Sequence, residues 1–163
     1  MTKSTVAVPI ASGGRPVAQI VLGENASERD RFAAGELQGY VEKLGNARLE
    51  IVTPADALSA DENALLIVGQ PENNPLTADA LDGAYDTASL DEEGFVVHTC
   101  EVEGRPAVAL AGRNDIGTLY AVYALVEMLG ATFVLSKDIL PPPVDDLSVP
   151  ATSRVWELSL IHI

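Results

Sequence analysis

The segment from Ala109 to Phe133 constrains the fold more than any other part of the sequence. It begins as an apolar run typical of a buried strand, passes through a Gly-Arg-Asn-Asp turn, and becomes an almost wholly apolar helix that stops at Gly130. Apolar side chains recur at helical spacing along one stripe of that helix, and two more widen it: Ile116, Leu119, Tyr120, Tyr123, Val126 and Leu129, with Val122 and Leu125. We therefore expect the helix to be covered on most of its circumference.

Strand and helix patterns alternate before this segment. Residues 17–22 read as a first strand, and Asn25 or Ser27 can cap a helix that runs to about Leu44 and closes at Gly45-Asn46. The predicted inward stripe of this helix is Ala33, Leu37, Tyr40, Val41 and Leu44. A short strand at 48–52 and a polar connection at 54–63 follow. The uninterrupted apolar run 64–68 is typical of a central strand covered on both faces.

The remaining patterns complete a mixed sheet. Residues 76–81 predict one or two helical turns, and 94–102 with 106–111 predict an antiparallel hairpin. A last strand is expected at 132–135, before prolines mark an extended exit from the domain. These elements predict an α/β (α+β) fold, a two-layer sandwich in which two main helices lie on one face of a mixed sheet of about six strands.

Charge and composition exclude several function classes. The 163 residues carry a formal net charge of −14, which opposes contact with phosphate backbones and anionic membranes, so neither nucleic acid nor membrane is an expected partner. The single cysteine, Cys100, rules out an internal disulfide. No run reaches the ~20 apolar residues that span a bilayer. No signal peptide is evident because Pro9 breaks the short apolar start, so the compartment stays open, with a cytoplasmic one slightly favoured.

No motif predicts catalysis, a cofactor or a metal. Gly13-Gly14 lacks the further glycines of a dinucleotide fingerprint. His98 and Cys100 share a strand face, but they are too few for a zinc site, and no third group orients them as a nucleophilic pair. The adjacent carboxylates 91–93 fit a solvated loop, since neighbouring loop residues do not set the fixed separation that glycosidase carboxylates need. The predicted catalytic, cofactor-binding and metal-ligating sets are therefore empty.

The turn Arg113-Asn114-Asp115 is the best candidate site. It lies between a strand and a helix, where open α/β sheets often bind ligands. Three roles stay open for it: a helix cap with an internal ion pair, a contact with a neighbouring domain, or a direct ligand contact.

Three segments together resemble the N-terminal, non-catalytic α/β domain of several glycoside hydrolases, including the family 67 α-glucuronidases and the bacterial β-hexosaminidases. They are the helix 34–45 (AGELQGYVEKLG), the strand 64–69 (ALLIVG) and the segment 112–130 (GRNDIGTLYAVYALVEMLG). The last is similar to the family's Gly-x-x-x-x-Gly-x-x-Tyr-Ala-Val-Tyr pattern. The ordered set spans most of the chain.

The resemblance implies a role by position. In such enzymes the acid and base residues lie on a following (β/α)₈ barrel of about 250 residues, so none is carried over here and the isolated chain is expected to be inactive. It implies an accessory domain at 1–140 and a Pro-rich exit at 141–157 towards a barrel of the same full-length chain, the expected partner, with carbohydrate contacted only indirectly. The sugar, the linkage and the oligomeric state stay open.

Two further expectations concern the chain end and another class of function. Residues 158–163 resemble the translation of a sequencing adapter read through from a gene fragment, so a non-native tail is expected, with a genuine edge strand as the alternative. The alternative function is a free-standing carbohydrate-binding or protein-interaction module, for which Tyr85 and Phe95 are the best sugar-stacking candidates. Trp156 is assigned to the tail.

Overall fold

The computed structural model describes residues 7–59, 63–134 and 137–157. Its strands are β1 Val8–Ser12, β2 Arg15–Pro16, β3 Ala18–Leu22, β4 Ile51–Val52, β5 Ala64–Val68, β6 Phe95–Val102, β7 Arg105–Gly112, β8 Thr132–Val134, β9 Lys137–Ile139, β10 Leu147–Val149 and β11 Ser153–Trp156. Its helices are α1 Glu28–Gly45, α2 Pro54–Ser59, α3 Pro75–Leu81 and α4 Asp115–Met128, and Thr87–Ser89 forms a 3₁₀ turn.

Six strands form the main sheet in the order β11-β6-β7-β5-β3-β4. Strands β4, β3, β5 and β7 run parallel, whereas β6 pairs antiparallel with both β7 and β11. The mixed sheet of about six strands is thus confirmed. The carboxyl ends of the parallel strands share one edge of this sheet, and β11, which runs in the direction of β7, ends at the same edge.

Alternate residues of the strands build one apolar core on each face of the sheet. On the first face, Ile20, Leu66 and Leu110 pack with the buried stripes of α1 and α4. On the second face, Leu65 and Ile67 pack with residues of α2 and α3. The two main helices therefore lie on one face, as predicted, and the two short helices line the opposite face.

Helix α1 begins and ends where its sequence signals predict. Ser27 is the N-cap: its Oγ accepts a hydrogen bond from the Asp30 N–H at 3.0 Å, and the Ser27 N–H donates to the Asp30 carboxylate, which completes a capping box. At the other end Asn46 adopts a left-handed backbone with φ of 56°. Four residues of the predicted inward stripe are buried, and Tyr40 is half-buried.

Several sequence predictions need correction. The connection 54–63 contains α2, and the strand predicted at 48–52 is only two residues long. The strand predicted at 132–135 does not join the main sheet, because β8 pairs only with β9. Within the segment 141–157, β10 pairs with β1, and β11 adds the sixth strand beside β6, while the role of this segment as an exit stays a prediction. The domain boundary at residue 140 stays a prediction, and residues 158–163 lie outside the described part.

The β8–β9 ribbon is held to the helical face by two tyrosines. The Tyr40 hydroxyl donates to the Asp138 carboxylate, and the Tyr123 hydroxyl donates to Glu36 at 2.8 Å. Both rings also meet Phe133 edge-on. Burial raises the pKa of both tyrosines, and a neighbouring carboxylate adds to each rise, which brings the pKa of Tyr123 to about 12. Both hydroxyls therefore stay protonated and able to donate throughout the physiological range.

Candidate interdomain surface

Three helix N-termini gather at the carboxyl edge of the parallel strands. Ser27 caps α1, Asn74 caps α3 and Asn114 caps α4, each through a side-chain oxygen that accepts a backbone N–H. In open α/β sheets, ligands commonly bind at this edge, between two neighbouring strands whose following helices lie on opposite faces of the sheet. Here that point lies between β3 and β5, because α1 follows β3 onto one face and α3 follows β5 onto the other.

A buried asparagine fills the crevice between β3 and β5. The Asn74 Nδ2 donates to the Val21 carbonyl at 3.2 Å and to the Val68 carbonyl at 3.0 Å, and its Oδ1 accepts from the Leu76 N–H. Gly23 permits this closure, since a Cβ there would lie 1.8 Å from the Asn73 carbonyl oxygen. The crevice that would hold a nucleotide in a dinucleotide-binding fold is therefore occupied by the protein itself.

The Arg113 turn is tied down by bonds within the domain. The Arg113 guanidinium donates to the Leu90 carbonyl at 2.8 Å, and its own carbonyl accepts from Gln70 at 2.6 Å. Asn114 caps α4 through the Gly117 N–H at 3.1 Å and donates to the Glu92 carbonyl at 2.7 Å. The capping role considered from sequence is thus present, and Arg113 as a whole residue is exposed.

Asp115 joins the two main helices at their N-termini. Its carboxylate accepts from the Ser27 hydroxyl and from the Arg29 guanidinium, each at 3.0 Å. The pairing with Arg29 is partly solvated, with the two side chains 47% and 28% exposed, so its contribution to stability is small. The structural effect of the network is to fix the N-terminus of α4 relative to the N-terminus of α1.

Asp30 is a second carboxylate in this network, and it is fully buried. Burial is the main cause that raises the pKa of Asp30 above its ordinary value, and the nearby charge of Asp115 adds to it. The hydrogen bond from the Ser27 backbone opposes the rise without cancelling it. Ionised Asp30 is therefore a cost to the folded state.

This cost predicts a pH-dependent gain from Asp30→Asn. A carboxyl whose folded-state pKa exceeds its unfolded one contributes most stability below the unfolded pKa, and that contribution is lost as the pH rises through the folded value. The asparagine can still accept the Ser27 N–H, so Asp30→Asn should melt above the wild type at pH 7 and at the same temperature near pH 3. Thermal melts at both pH values check this. The control Glu28→Gln, exposed in the same helical turn, should show no such difference, and a gain equal at both pH values would contradict the burial argument.

Helix α4 buries part of the apolar set that its sequence predicts, namely Val122, Leu125 and Val126, together with small residues outside that set. Its buried residues are Gly117, Thr118, Ala121, Val122, Leu125 and Val126. Of the predicted stripe, Ile116 and Leu119 are only half-buried and Tyr120 is 40% exposed. The expectation that the helix is covered on most sides is confirmed, since only Tyr120 and Glu127 of α4 are exposed. The flank with Ile116, Leu119 and Tyr120 is only partly covered within this domain.

A groove beside this flank extends the apolar surface onto α1. It encloses about 650 Å³ and is lined by Glu28, Arg29, Phe32, Asp115 and Leu119. Phe32 is 55% exposed, the largest exposed fraction among the large apolar side chains that the structure describes. An exposed phenylalanine next to a leucine at the meeting point of two helices is typical of a surface that another protein surface covers.

Three aromatic rings continue the same surface across the sheet edge. Phe95 stacks on Trp156 with 4.9 Å between ring centroids, and Tyr120 meets Phe95 edge-on at 6.3 Å. The Arg154 guanidinium lies 4.5 Å from the centre of the Trp156 ring. Sequence reasoning assigned Trp156 to the tail because the pairing of β11 with β6 is not visible in the pattern. We call Phe32, Leu119, Tyr120, Phe95 and Trp156 the apolar edge surface.

The other candidate residues named from the sequence, His98, Tyr85 and Phe95, pack against other residues of the domain. The His98 Nδ1 lies 2.9 Å from the Ser153 hydroxyl, and the Tyr85 ring packs edge-on against the imidazole. The proposed sugar-stacking pair Tyr85 and Phe95 pack on opposite faces of the sheet, so they cannot form one platform. Within the described ranges, no three Asp, Glu, His or Cys side chains form a group that could hold a metal ion, and no described helix is long and apolar enough to cross a bilayer.

Comparison with known proteins assigns the domain to a family. A profile of the family described as "Glycosyl hydrolase family 67 N-terminus" matches residues 14–125, whereas a search of curated proteins finds no match. Among solved structures, a family 115 4-O-methyl-α-glucuronidase with specificity for decorated arabinogalactans is similar with a TM-score of 0.58 at 21% identity, over 77% of this chain and 15% of that one. The family 20 β-N-acetylhexosaminidase of Streptomyces coelicolor A3(2) is similar with a TM-score of 0.50 at 14% identity, over 93% of this chain and 24% of that one.

These comparisons confirm the resemblance read from the three sequence segments. This chain spans less than a quarter of either solved relative, and at these identities the likeness to them shows the shared fold. The family match shows more than the fold, because it covers well over half of the chain and includes α1, β5, β7 and most of α4. The chain belongs to the glycosyl hydrolase family 67 N-terminus family.

Proposed function

We propose that this domain is the accessory, non-catalytic N-terminal domain of a carbohydrate-active glycoside hydrolase of the α-glucuronidase or β-hexosaminidase type. Its partner is a catalytic (β/α)₈ barrel encoded after it in the same full-length chain. The family match supports the position of the domain, and the two solved relatives support the kind of enzyme. The domain then supplies a docking surface, and the barrel supplies the chemistry.

The observation that carries this proposal is the apolar edge surface. A single domain that exposes Phe32 and Tyr120 beside a half-buried leucine leaves unburied the apolar area that normally drives association. Aromatic anchors of this kind dominate binding energy when a partner covers them. The surface therefore fits a protein partner that stays attached.

The path of the chain favours the same surface. Strand β11 ends at Trp156, within the stacked aromatic group, and the next residue is tied to the body because the Asp91 N–H donates to the Glu157 carboxylate at 3.1 Å. A domain joined at this point would begin next to the apolar edge surface. The backbone of Arg113 borders it, because the Arg113 N–H donates to the Gly94 carbonyl, one residue before Phe95. Arg113, Asn114 and Asp115 are accordingly proposed as the polar rim of the interdomain contact.

The domain plan follows as part of this proposal. Residues 1–140 form the accessory unit, and 141–157 lead towards the barrel while β10 and β11 stay paired with the body. The isolated chain is expected to hydrolyse no aryl glycoside, since the reacting carboxylates are assigned to the barrel.

The proposal is tested by docking the parts. The reading frame downstream of codon 157 should encode alternating strands and helices of barrel length, and that polypeptide, expressed separately, should bind this chain in calorimetry. Tyr120→Lys should weaken binding at least ~30-fold, because it places a charge in the centre of the contact. Leu58→Lys, a matched control with 44% exposure on α2, should bind as the wild type does.

Three outcomes would overturn the accessory role. The first is a downstream frame without the strand and helix alternation of a barrel. The second is equal loss of binding in Tyr120→Lys and Leu58→Lys, which would remove the apolar edge surface as the contact. The third is turnover of an aryl glycoside by the purified chain alone.

A further inference from the structure

The aromatic end of the apolar edge surface is bordered by a positive charge. On β11, the guanidinium carbon of Arg154 lies 4.5 Å from the centre of the Trp156 ring, and that ring stacks on Phe95 with 14° between the two planes. Arg154 and Trp156 are two residues apart on one strand, so both side chains lie on the same face of the sheet. The indole therefore holds this cation at the border of the apolar edge surface.

The face that carries Arg154 is the one against which α1 and α4 pack. Trp156 contacts the core of that face, whereas Val155, the residue between Arg154 and Trp156, contacts the core of the opposite face. Arg154 is an exposed residue, and β11 is the strand at this edge of the main sheet. A polypeptide that covers Trp156 and Tyr120 must therefore come close to the guanidinium.

Stacking leaves the hydrogen-bonding edges of the guanidinium open. An arginine carries five N–H donors along the edges of a flat group, and contact with a ring uses only the face of that group. Arg29, by contrast, already donates to the Asp115 carboxylate at 3.0 Å, whereas no carboxylate of the described part of the chain pairs with Arg154. Arg154 is thus a charge that is held in place and still able to donate.

A carboxylate side chain of another protein surface fits this arrangement best. Two parallel N–H donors match the two oxygens of a carboxylate, and a guanidinium that is already stacked loses less side-chain entropy on pairing than a mobile one does. A phosphate has a similar geometry, but the net charge of −14 opposes the approach of a polyanion. The aromatic rings beside Arg154 favour a protein as the source of the carboxylate, because a protein surface covers rings and charge together.

We propose that Arg154 binds a carboxylate side chain of the catalytic barrel, in a two-bond pair at the border of the apolar edge surface. This inference rests on the accessory role proposed above, and it names the charge that the partner carries. The rings supply most of the affinity, and the pair fixes the orientation of the barrel, because two parallel hydrogen bonds are directional. The partner surface therefore places an aspartate or a glutamate beside an apolar patch.

The test is calorimetry between the separately expressed downstream polypeptide and variants of the whole chain. Arg154→Gln should weaken binding about tenfold, and Arg154→Lys should recover only part of that loss, because lysine keeps the charge without the planar fork. The matched control is Arg15→Gln, at an exposed position of β2 in the smaller β10-β1-β2 sheet, and it should bind as the wild type does. Arg154→Gln should melt within about 3 °C of the wild type, which separates lost binding from lost folding.

Salt dependence and a charge exchange identify the pair. Raising sodium chloride from about 0.05 M to about 0.5 M should weaken binding of the wild type more than binding of Arg154→Gln. Arg154→Glu should weaken binding at least ~50-fold, and one surface aspartate or glutamate of the barrel, changed to arginine, should recover at least about fivefold of that loss. If no surface carboxylate of the barrel does so, the proposal is overturned.

Other outcomes separate this inference from the accessory role. Wild-type affinity in Arg154→Gln, while Tyr120→Lys still binds weakly, overturns the pair and leaves the accessory role in place. Equal weakening in Arg154→Gln and Arg15→Gln does the same, because the effect would then belong to overall charge. A trimer of galacturonic acid that shifts the Arg154 Nε–H signal in NMR, when the barrel polypeptide does not, would make this a glycan contact and equally overturns it. No binding by the wild type would overturn the accessory role and this inference together.

Discussion

Gly112→Ala is expected to destabilise the domain by about 3 kcal/mol, and to lower its melting temperature by about 10 °C. A Cβ at this position would lie 2.4 Å from the backbone of Gly117 and from the Thr118 nitrogen. Backbone atoms cannot move aside as a flexible side chain can, so α4 must shift away from the end of β7. The Thr118 hydroxyl, which accepts the Gly112 N–H at 3.0 Å, would move with it.

The effect should reach beyond stability, because the same contact places the Arg113 turn and Tyr120. Gly117 is confined in the same way, because a Cβ added to it would lie 2.6 Å from the Gly94 carbonyl oxygen. Thermal unfolding with circular dichroism measures the loss. The control is Gly35→Ala, since nothing lies within 4 Å of a Cβ at this exposed position of α1, and it should stabilise the chain by up to about 1 kcal/mol. Equal melting of Gly112→Ala and wild type would show that the β7–α4 junction is looser than described.

This junction also explains why part of the sequence pattern is informative. The spacing Gly112-x-x-x-x-Gly117 marks the point where a helix starts directly against the strand that precedes it, and only residues without side chains permit that distance. The bounds of α1 and β5 are similarly local: one follows from a capping box and a left-handed Asn46, the other from an uninterrupted apolar run. Such features depend on neighbours in sequence and can be read from it.

The orientation of α4 could not be read in that way. Nearly every side of this helix is apolar, so its periodicity carries little directional information, and the larger side chains were assigned to the core. The structure instead buries the flank with Gly117 and Ala121, because small residues let the helix approach β7 closely. Of the larger residues, Leu119 stays half-buried and Tyr120 stays exposed. The exposed surface proposed for the barrel is therefore a consequence of close packing on the other flank.

Strand pairings between distant segments also could not be predicted from the sequence. Strand β1 pairs with β10 across most of the chain length, and β6 pairs with β11 across about a third of it. The pattern of a strand does not identify its distant partner, and β1, β10 and β11 are in addition at most five residues long. The aromatic group of Phe95 and Trp156 depends on the second pairing, so this part of the apolar edge surface could not be predicted, and the interdomain role of Arg113 stays a proposal.

Asn74→Ala is expected to destabilise the domain by about 3 kcal/mol, for a reason unlike that of Gly112. The substitution removes the N-cap of α3, which costs about 1 kcal/mol, and it removes the two amide donors that bridge the carbonyls of β3 and β5. Asn74 is fully buried, so water cannot replace these donors without entering the crevice. Asn25→Ala, an exposed loop position at the same edge of the sheet, is the matched control and should change stability by less than about 0.5 kcal/mol.

A second substitution separates the cap from the bridge. Asn74→Ser keeps a side-chain oxygen that can accept the Leu76 N–H, but the serine is too short to reach both strand carbonyls. Urea unfolding should therefore place Asn74→Ser about 1 kcal/mol above Asn74→Ala and about 2 kcal/mol below the wild type. If Asn74→Ser were as stable as the wild type, capping alone would explain the contribution of Asn74 to stability, and the amide bridge between β3 and β5 would contribute nothing. The expected order instead makes Asn74 the residue that closes the usual ligand position of the sheet.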